Sequence, residues 1–322
     1  MPKRPSPFER QLALIREIRA TAPPTAAAEL RACLSSREPY IVGFAAEAIA
    51  ELTLRACVPD LASALGRMIR GEQPDTGCAG SEKVARALVQ LDADEPDAYR
   101  AGLGYFRPER AGPGPLVDRA VPVRIECAIG LARAVAPRAL VEIAPLLVDP
   151  EPPVRAGAAR AIAVLPGDGP PAVLHLTLVS REKDPDVLGA CMSGLLAIDA
   201  ARYLPIVERH LADEATAEVA AIALGESRLA DALPVLRRAL AARRPDDITA
   251  VILLAAALLR LPEATELLFE TLESGSEALA VQALEALAVH RHASAVDARV
   301  RAIVAQRGSS KIARALAELF DA

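Results

Sequence analysis

A stripe of small and apolar residues at positions i, i+4, i+7 and i+8 recurs along this chain and constrains its fold more than any other feature. One copy starts at Val154 and continues with Ala158, Ala161 and Ile162. This spacing places the four side chains on one face of an α-helix, which must be buried against other helices. Clear copies also start at Ile41, Val123, Val187, Thr216 and Leu279, and weaker ones near Lys83, Ala250 and Lys311.

The copies are regularly spaced. From Val123 onwards their starts are 29 to 34 residues apart, a period that fits one helix pair and its turns. The earlier steps are longer and contain Gly- and Pro-rich stretches near 71–80 and 107–117, which we interpret as loop insertions. The sequence therefore predicts an all-α fold, an α-α superhelix of about nine helix pairs. Residues 1–24 are expected to form an N-terminal tail and the first helix, and residues 25–322 the repeat solenoid.

The composition supports helices. Apolar residues make up 52% of the chain and are mostly Ala and Leu, while aromatic residues account for 3% and Trp is absent. Small and unbranched side chains favour helices that pack closely, whereas aromatic and β-branched residues would favour strands.

Two segments carry a more specific pattern. Asp118 is followed six positions later by Arg124, in the pair Val123-Arg124, and Asp149 is followed in the same way by Arg155. This pattern resembles HEAT repeats, and residues 232–240 resemble the short bacterial repeats of the phycobilisome-lyase-like type. The resemblance implies a solenoid in which Asp118, Arg124, Asp149 and Arg155 form a charged ladder between neighbouring repeats.

The same resemblance implies a scaffold or adaptor that binds a protein partner through the concave face of the solenoid. The segment 248–259 carries no charge, and a helix that is apolar all round is expected to be buried all round. Either these side chains contact one another across a narrow groove, or they form a patch that receives a partner. On the second hypothesis the contact residues are Met192, Leu196, Ile222 and Ile252.

Charge argues against a general nucleic-acid binder. The net charge is −5, and basic residues are concentrated at the two ends while the middle of the chain is acidic. The C-terminal basic residues are interpreted first as a solubilising cap of the last repeat and second as a site for an anionic partner. They are Arg299, Arg301, Arg307, Lys311 and Arg314.

No cofactor or metal is expected. None of the four histidines precedes Glu, so a di-iron site of the deoxyhypusine hydroxylase kind, which uses His-Glu pairs, is not predicted. The five cysteines form no CxxC pair, which favours buried reduced thiols and a cytoplasmic location. The longest uncharged apolar run, 248–259, is too short to span a bilayer.

These observations lead to the prediction of a non-catalytic scaffold that binds a protein partner. Two alternatives stay open. One is an accessory enzyme subunit of the lyase type, and the other, with less support, is a nucleic-acid binder. The sequence predicts neither the identity of the partner nor the oligomeric state.

Overall fold

The computed structural model describes residues 6–110, 112, 114–180, 182–242 and 245–321, and nearly all of its regular structure is helical. The described residues contain nineteen α-helices: α1 Pro7–Thr21, α2 Ala26–Leu34, α3 Pro39–Glu51, α4 Val58–Ile69, α5 Ala79–Gln90, α6 Pro96–Leu103, α7 Val121–Arg133, α8 Ala139–Ile143, α9 Pro152–Ala163, α10 Gly169–Val179, α11 Pro185–Ile198, α12 Ala200–Ala212, α13 Ala217–Ser227, α14 Ala232–Ala241, α15 Asp246–Leu259, α16 Pro262–Ser274, α17 Glu277–Leu287, α18 Ser294–Arg307 and α19 Ser310–Phe320. Short 3-10 helices cover Arg55–Cys57, Thr76–Cys78, Ala144–Val148 and Ala288–His290. The predicted all-α fold of about nine helix pairs is confirmed for the described residues.

Each copy of the sequence stripe falls on an odd-numbered helix from α3 to α19, and we call these the stripe helices. Their apolar positions are buried, as in α9, where Val154, Ala158, Ala161 and Ile162 are at most 1% exposed. The even-numbered helices between them are the partner helices. Each stripe helix buries its stripe because it packs against a partner helix and a neighbouring stripe helix, as α5 packs against α3, α4 and α7.

The chain divides into two compact units. Unit 1 comprises Met1–Val173, and its stripe helices α3, α5, α7 and α9 pack in sequence order. Unit 2 comprises Leu174–Ala322, and its stripe helices α11, α13, α15, α17 and α19 pack in the same way. Each unit therefore has its own core of Leu, Ile, Val and Ala side chains.

The segments that were interpreted as insertions contain some regular structure. Residues 76–78 form a 3-10 turn that leads into α5. Strands β1 Pro108–Arg110 and β2 Leu116–Asp118 form an antiparallel hairpin between α6 and α7, in which Pro108 pairs with Asp118. Residues 1–5 of the predicted tail and residues 111 and 113 of the second insertion lie outside the described residues.

The ends of the stripe helices position the surfaces described below. Several helices begin with proline in the first turn, where its missing N–H costs no intrahelical hydrogen bond. Beyond their C-terminal ends the backbone turns through the left-handed region at non-glycine residues, which include Asp92, Val135, Arg228 and Arg260. Within the described residues, no helix is long and apolar enough to cross a membrane.

Candidate functional site

Arg124 is buried at the N-terminal end of α7 between two carboxylates. Its Nη1 donates to Asp118 Oδ2 at 2.5 Å and to the carbonyl oxygen of Tyr105 at 2.8 Å, and its Nη2 donates to Asp149 Oδ1 at 3.3 Å. Arg155 donates to the carbonyl oxygens of Asp149 and Pro150 at 3.0 and 3.3 Å. The four residues predicted as a ladder thus lie together, where they join the hairpin base to the first turns of α7 and α9.

Asp118 accepts two backbone hydrogen bonds in addition to the contact with Arg124. The N–H groups of Arg107 and Ala120 donate to its Oδ1 at 2.9 and 3.0 Å. Burial acts to raise the pKa of Asp118, but the hydrogen bonds from these two N–H groups and from Arg124 outweigh it, so the pKa is lowered. Asp118 is therefore an ionised structural group that fixes the base of the hairpin.

The residues predicted to contact a partner lie mostly inside unit 2. Met192, Leu196 and Ile252 are 0%, 2% and 1% exposed, and Ile222 alone is partly exposed. The first three side chains belong to the helix packing of their own unit, so a partner could reach them only if the helices separated. We therefore do not carry these three residues forward as an interface.

Other aliphatic residues on the same helices form the exposed surface of unit 2. On α15 the half-buried residues Val251, Leu254 and Leu258 lie on the side away from the partner helices, and α13 and α17 add further aliphatic side chains. We call this surface the apolar face. It consists of Val219, Ile222, Val251, Leu254, Leu258 and Val281.

Acidic residues surround the apolar face but do not enter it. Glu218 and Glu226 lie on α13, Asp247 at the start of α15, and Glu285 on α17, and all four are exposed. The face is therefore a strip of aliphatic side chains across three adjacent helices. These carboxylates border it, and Lys311 and Arg314 of α19 lie beside Val281 at its α17 side.

The equivalent surface of unit 1 carries ion pairs, and we call it the charged face. Lys83 Nζ lies 3.0 Å from Glu47 and 4.1 Å from the centre of the Phe44 ring. Arg86 joins Glu82 of its own helix at 2.6 Å to Glu126 of α7 at 3.0 Å. These contacts run across α3, α5 and α7, so charges that lie on this face are satisfied within it.

Three of the five C-terminal basic residues form ion pairs in the part of the chain that the structure describes. Arg299 contacts Glu266 at 2.5 Å, Arg301 contacts Asp297 at 3.0 Å, and Arg314 contacts Glu318 at 2.9 Å. Arg307 donates to the carbonyl oxygens of Leu272, Glu273 and Gly275. This arrangement fits a structural cap better than an open site for an anionic partner.

The side-chain chemistry of the described residues gives little support to a metal or thiol centre. No group of three or more His, Cys, Asp or Glu residues among them could hold a metal ion. All five cysteines are buried and free, and burial raises the pKa of Cys127 and Cys191 to about 12. Their thiols are thus protonated at neutral pH and are poor nucleophiles.

The fold defines this chain as an all-α protein built from repeated helix pairs. No protein family and no curated protein matches its sequence. Human deoxyhypusine hydroxylase in complex with glycerol is a similar solved structure, with 13% identity, coverage of 89% of this chain and 92% of that chain, and a TM-score of 0.31. The complex of CpcE and CpcF of phycocyanin lyase from Nostoc sp. PCC7120 is another, with 17% identity, coverage of 92% and 93%, and a TM-score of 0.37.

These comparisons correct one prediction. The chain was expected to be non-catalytic, but the two similar structures are a hydroxylase and a lyase complex, so that expectation is contradicted and we withdraw it. At 13% and 17% identity the likeness concerns the fold, and the activities named are those of the other two proteins.

Proposed function

We propose that this chain is a subunit of an enzyme assembly and that it binds a protein partner through the apolar face of unit 2. One observation carries the binding half of the proposal. Six aliphatic side chains on three adjacent helices are partly exposed, whereas the equivalent surface of unit 1 is covered by ion pairs. Contiguous apolar surface with a polar rim is typical of protein-binding sites.

The shape of the face favours an amphipathic helix as the bound element. Val251, Leu254 and Leu258 form one ridge along α15, and α13 and α17 flank it at the usual separation of packed helices, about 8–10 Å. A helix with apolar residues at i, i+3 or i+4 and i+7 can lie along such a ridge. Because Glu218, Glu226 and Asp247 border the face on α13 and α15, basic residues beside the apolar stripe of the partner would improve charge complementarity on that side.

The enzyme half of the proposal has a finer form, an accessory subunit of the lyase type. It rests on the resemblance of residues 232–240 to the short HEAT repeats named above. In that form the partner is another chain of the same enzyme, and the activity of the assembly requires this chain. A scaffold that only brings proteins together would bind the same partner without changing its turnover.

Site-specific cross-linking tests the binding face directly. Benzoylphenylalanine replaces Leu254 in one full-length variant and Val141, a well exposed apolar residue on α8 of unit 1, in a control. Illumination in an extract of the native host should attach one defined protein to the first variant and none to the control. Purified partner, added back to this chain, then shows whether the activity of the partner depends on it.

Substitutions in the apolar face measure its contribution to binding affinity. Leu254→Asp and Val281→Asp should each weaken binding of the purified partner about tenfold or more, because a charge enters the desolvated part of the interface. Both side chains are partly exposed, so helix content and the urea midpoint should stay close to those of the parent chain. Val141→Asp is the matched control. Equal binding by all three variants would refute the apolar face as the interface.

A further inference from the structure

A cleft of about 530 Å³ in unit 2 lies between the C-terminal end of α15 and the first turn of α18. Its polar side chains include Arg260, His290 and His292, and the residues that line it include neither Asp nor Glu. Leu261, Val289 and Val296 provide an apolar wall. The cleft thus joins an apolar surface to three side chains that carry or can acquire positive charge.

These basic groups are not neutralised by neighbours. In the part of the chain that the structure describes, Arg260, His290 and His292 form no ion pair. This sets them apart from Arg299, Arg301 and Arg314, which are paired with carboxylates of the same unit. An anion in the cleft would therefore meet positive charge that needs no rearrangement of existing pairs.

The ring of His290 is held in a defined orientation. Its Nε2 donates to the carbonyl oxygen of Ala257 at 2.9 Å, which leaves Nδ1 for a ligand. In the imidazolium form Nδ1–H is a donor, as an oxyanion requires. The hydrogen bond to Ala257 of α15 therefore orients the ring of His290, which lies in the turn after α17.

Two helix ends reinforce the positive character of the cleft. Leu261 and Ala293, both at its lining, are the N-cap residues of α16 and α18, and neither has a side-chain oxygen to cap the helix. The first-turn N–H groups of these helices thus lack the side-chain acceptor that Ser276 supplies to α17. Glu263 and Asp297 lie in these first turns but do not line the cleft, and Asp297 is paired with Arg301. The dipoles of both helices favour a negatively charged group in the cleft.

Arg260 occupies a backbone position that costs energy. Its φ is 55°, in the left-handed region where glycine is the usual residue after a helix.

We propose that this cleft binds a small organic oxyanion, a carboxylate or a phosphate ester, whose apolar part contacts Leu261, Val289 and Val296. Arg260 donates bidentate hydrogen bonds to the oxygens of the anion, and the imidazoles of His290 and His292 donate the others. This inference does not depend on the function proposed above.

The four histidines of the chain make a direct test possible, because their ring signals in NMR spectra can be followed one by one. Phenyl phosphate and benzoate are titrated into the full-length protein, with sodium chloride at matched ionic strength. The proposal expects saturable shifts for His290 and His292, while His175 and His210 stay unchanged. The tighter of the two probes identifies phosphate ester or carboxylate as the natural group.

Arg260→Gln and Arg228→Gln form a matched pair, since both arginines follow a stripe helix with the same left-handed φ of 55° and only Arg260 lines the cleft. Loss of the guanidinium at 260 should weaken binding about tenfold or more, and the change at 228 should leave it unaltered. Parallel drift of all four histidines, shifts no larger than those in chloride, or equal affinity in Arg260→Gln would each overturn the site.

Discussion

Unit 1 and unit 2 are built from the same repeat, but the surfaces of their stripe helices differ in the charged side chains that they carry. In unit 1 the outer surface of α3, α5 and α7 carries mutually paired side chains, and Arg124 is buried between Asp118 and Asp149. In unit 2 the corresponding helices present the apolar face, and α11 begins with the side chain of Asp184 as its cap rather than with a buried arginine.

The clefts at the ends of the stripe helices show the same contrast. Unit 1 has a cleft of about 550 Å³ that includes Asp92, Asp94 and Arg133. Asp92 there lies 4.0 Å from Arg55 and 3.5 Å from Arg133, so its charge is balanced locally. Arg260 follows α15 at the same place in the repeat and is unpaired among the described residues. The pairing of Asp92 therefore stabilises unit 1 locally, whereas the unpaired Arg260 of unit 2 is available to a ligand.

The largest effect is expected where unit 1 buries its charges. Arg124→Met should lower the free energy of unfolding by about 3–5 kcal/mol, because Asp118 keeps a buried charge without its main partner. Urea unfolding followed by circular dichroism measures the loss. The double variant Arg124→Met/Asp118→Asn should recover part of it, since both charges are then absent. A loss below about 1 kcal/mol in the single variant would contradict a structural role for this pair.

A smaller effect is expected where unit 2 relies on close packing of backbones. A Cβ on Gly225 of α13 would lie 2.6 Å from the carbonyl oxygen of Ala255 on α15. Gly225→Ala should therefore cost about 1–3 kcal/mol despite the better helix propensity of alanine. Gly189→Ala is the control, because its Cβ would meet only a methyl group of Val219, at 3.2 Å. Thermal unfolding of the two variants side by side would show whether α13 and α15 are held this closely.

The third prediction concerns the pH dependence of stability that the buried Asp118 gives to unit 1. The pKa of Asp118 in the folded chain is lower than its ordinary value of 3.8, so its ionised form contributes stability that is fully present above that pH. The contribution disappears as the pH falls through the lower, folded-state pKa, at about 1.4 kcal/mol for each unit of difference. Asp118→Asn should be less stable at neutral pH and lose less on acidification. Parallel urea midpoints of variant and parent from neutral to acidic pH would argue against this assignment.

The smallest effect concerns the left-handed positions after the stripe helices. Arg260→Gly should raise the free energy of unfolding by about 0.5–1 kcal/mol, because glycine adopts this conformation without a steric penalty. Asp92→Gly gains the same relief but gives up contacts to Arg55 and Arg133, so its net change should be near zero. Differential scanning calorimetry resolves the order of the two. A loss of stability in Arg260→Gly would mean that its side chain contributes to folding.

The repeat was predictable because one-sided burial leaves a period in the sequence. The stripes that start at Val123, Val154 and Val187 lie inside α7, α9 and α11, and their positions are buried as expected. The side of α15 that faces outward was not predictable. Residues 248–259 are apolar in every direction, so the pattern could not distinguish buried Ile252 from partly exposed Leu254.

Other features depend on contacts between distant positions. The hairpin has two strands of three residues in a Gly- and Pro-rich segment, too short for an alternating pattern to appear. Arg260, His290 and His292 meet because the turns after successive stripe helices are neighbours in the stack, and no local motif marks them. Sequence periodicity thus predicts how the helices stack. It does not predict which side chains from distant repeats lie together on the surface.

The buried thiols also make the protein its own reporter of local opening. Cys33, Cys57, Cys78 and Cys127 lie in unit 1, and Cys191 lies in unit 2, each covered by its surrounding helices. A thiol reagent can reach such a group only when the surrounding helices part, so the rate of modification follows the opening of that region. Cys191 is the single cysteine of unit 2, so the modification rates of the natural cysteines report the local opening of the two units separately. No cysteine has to be introduced.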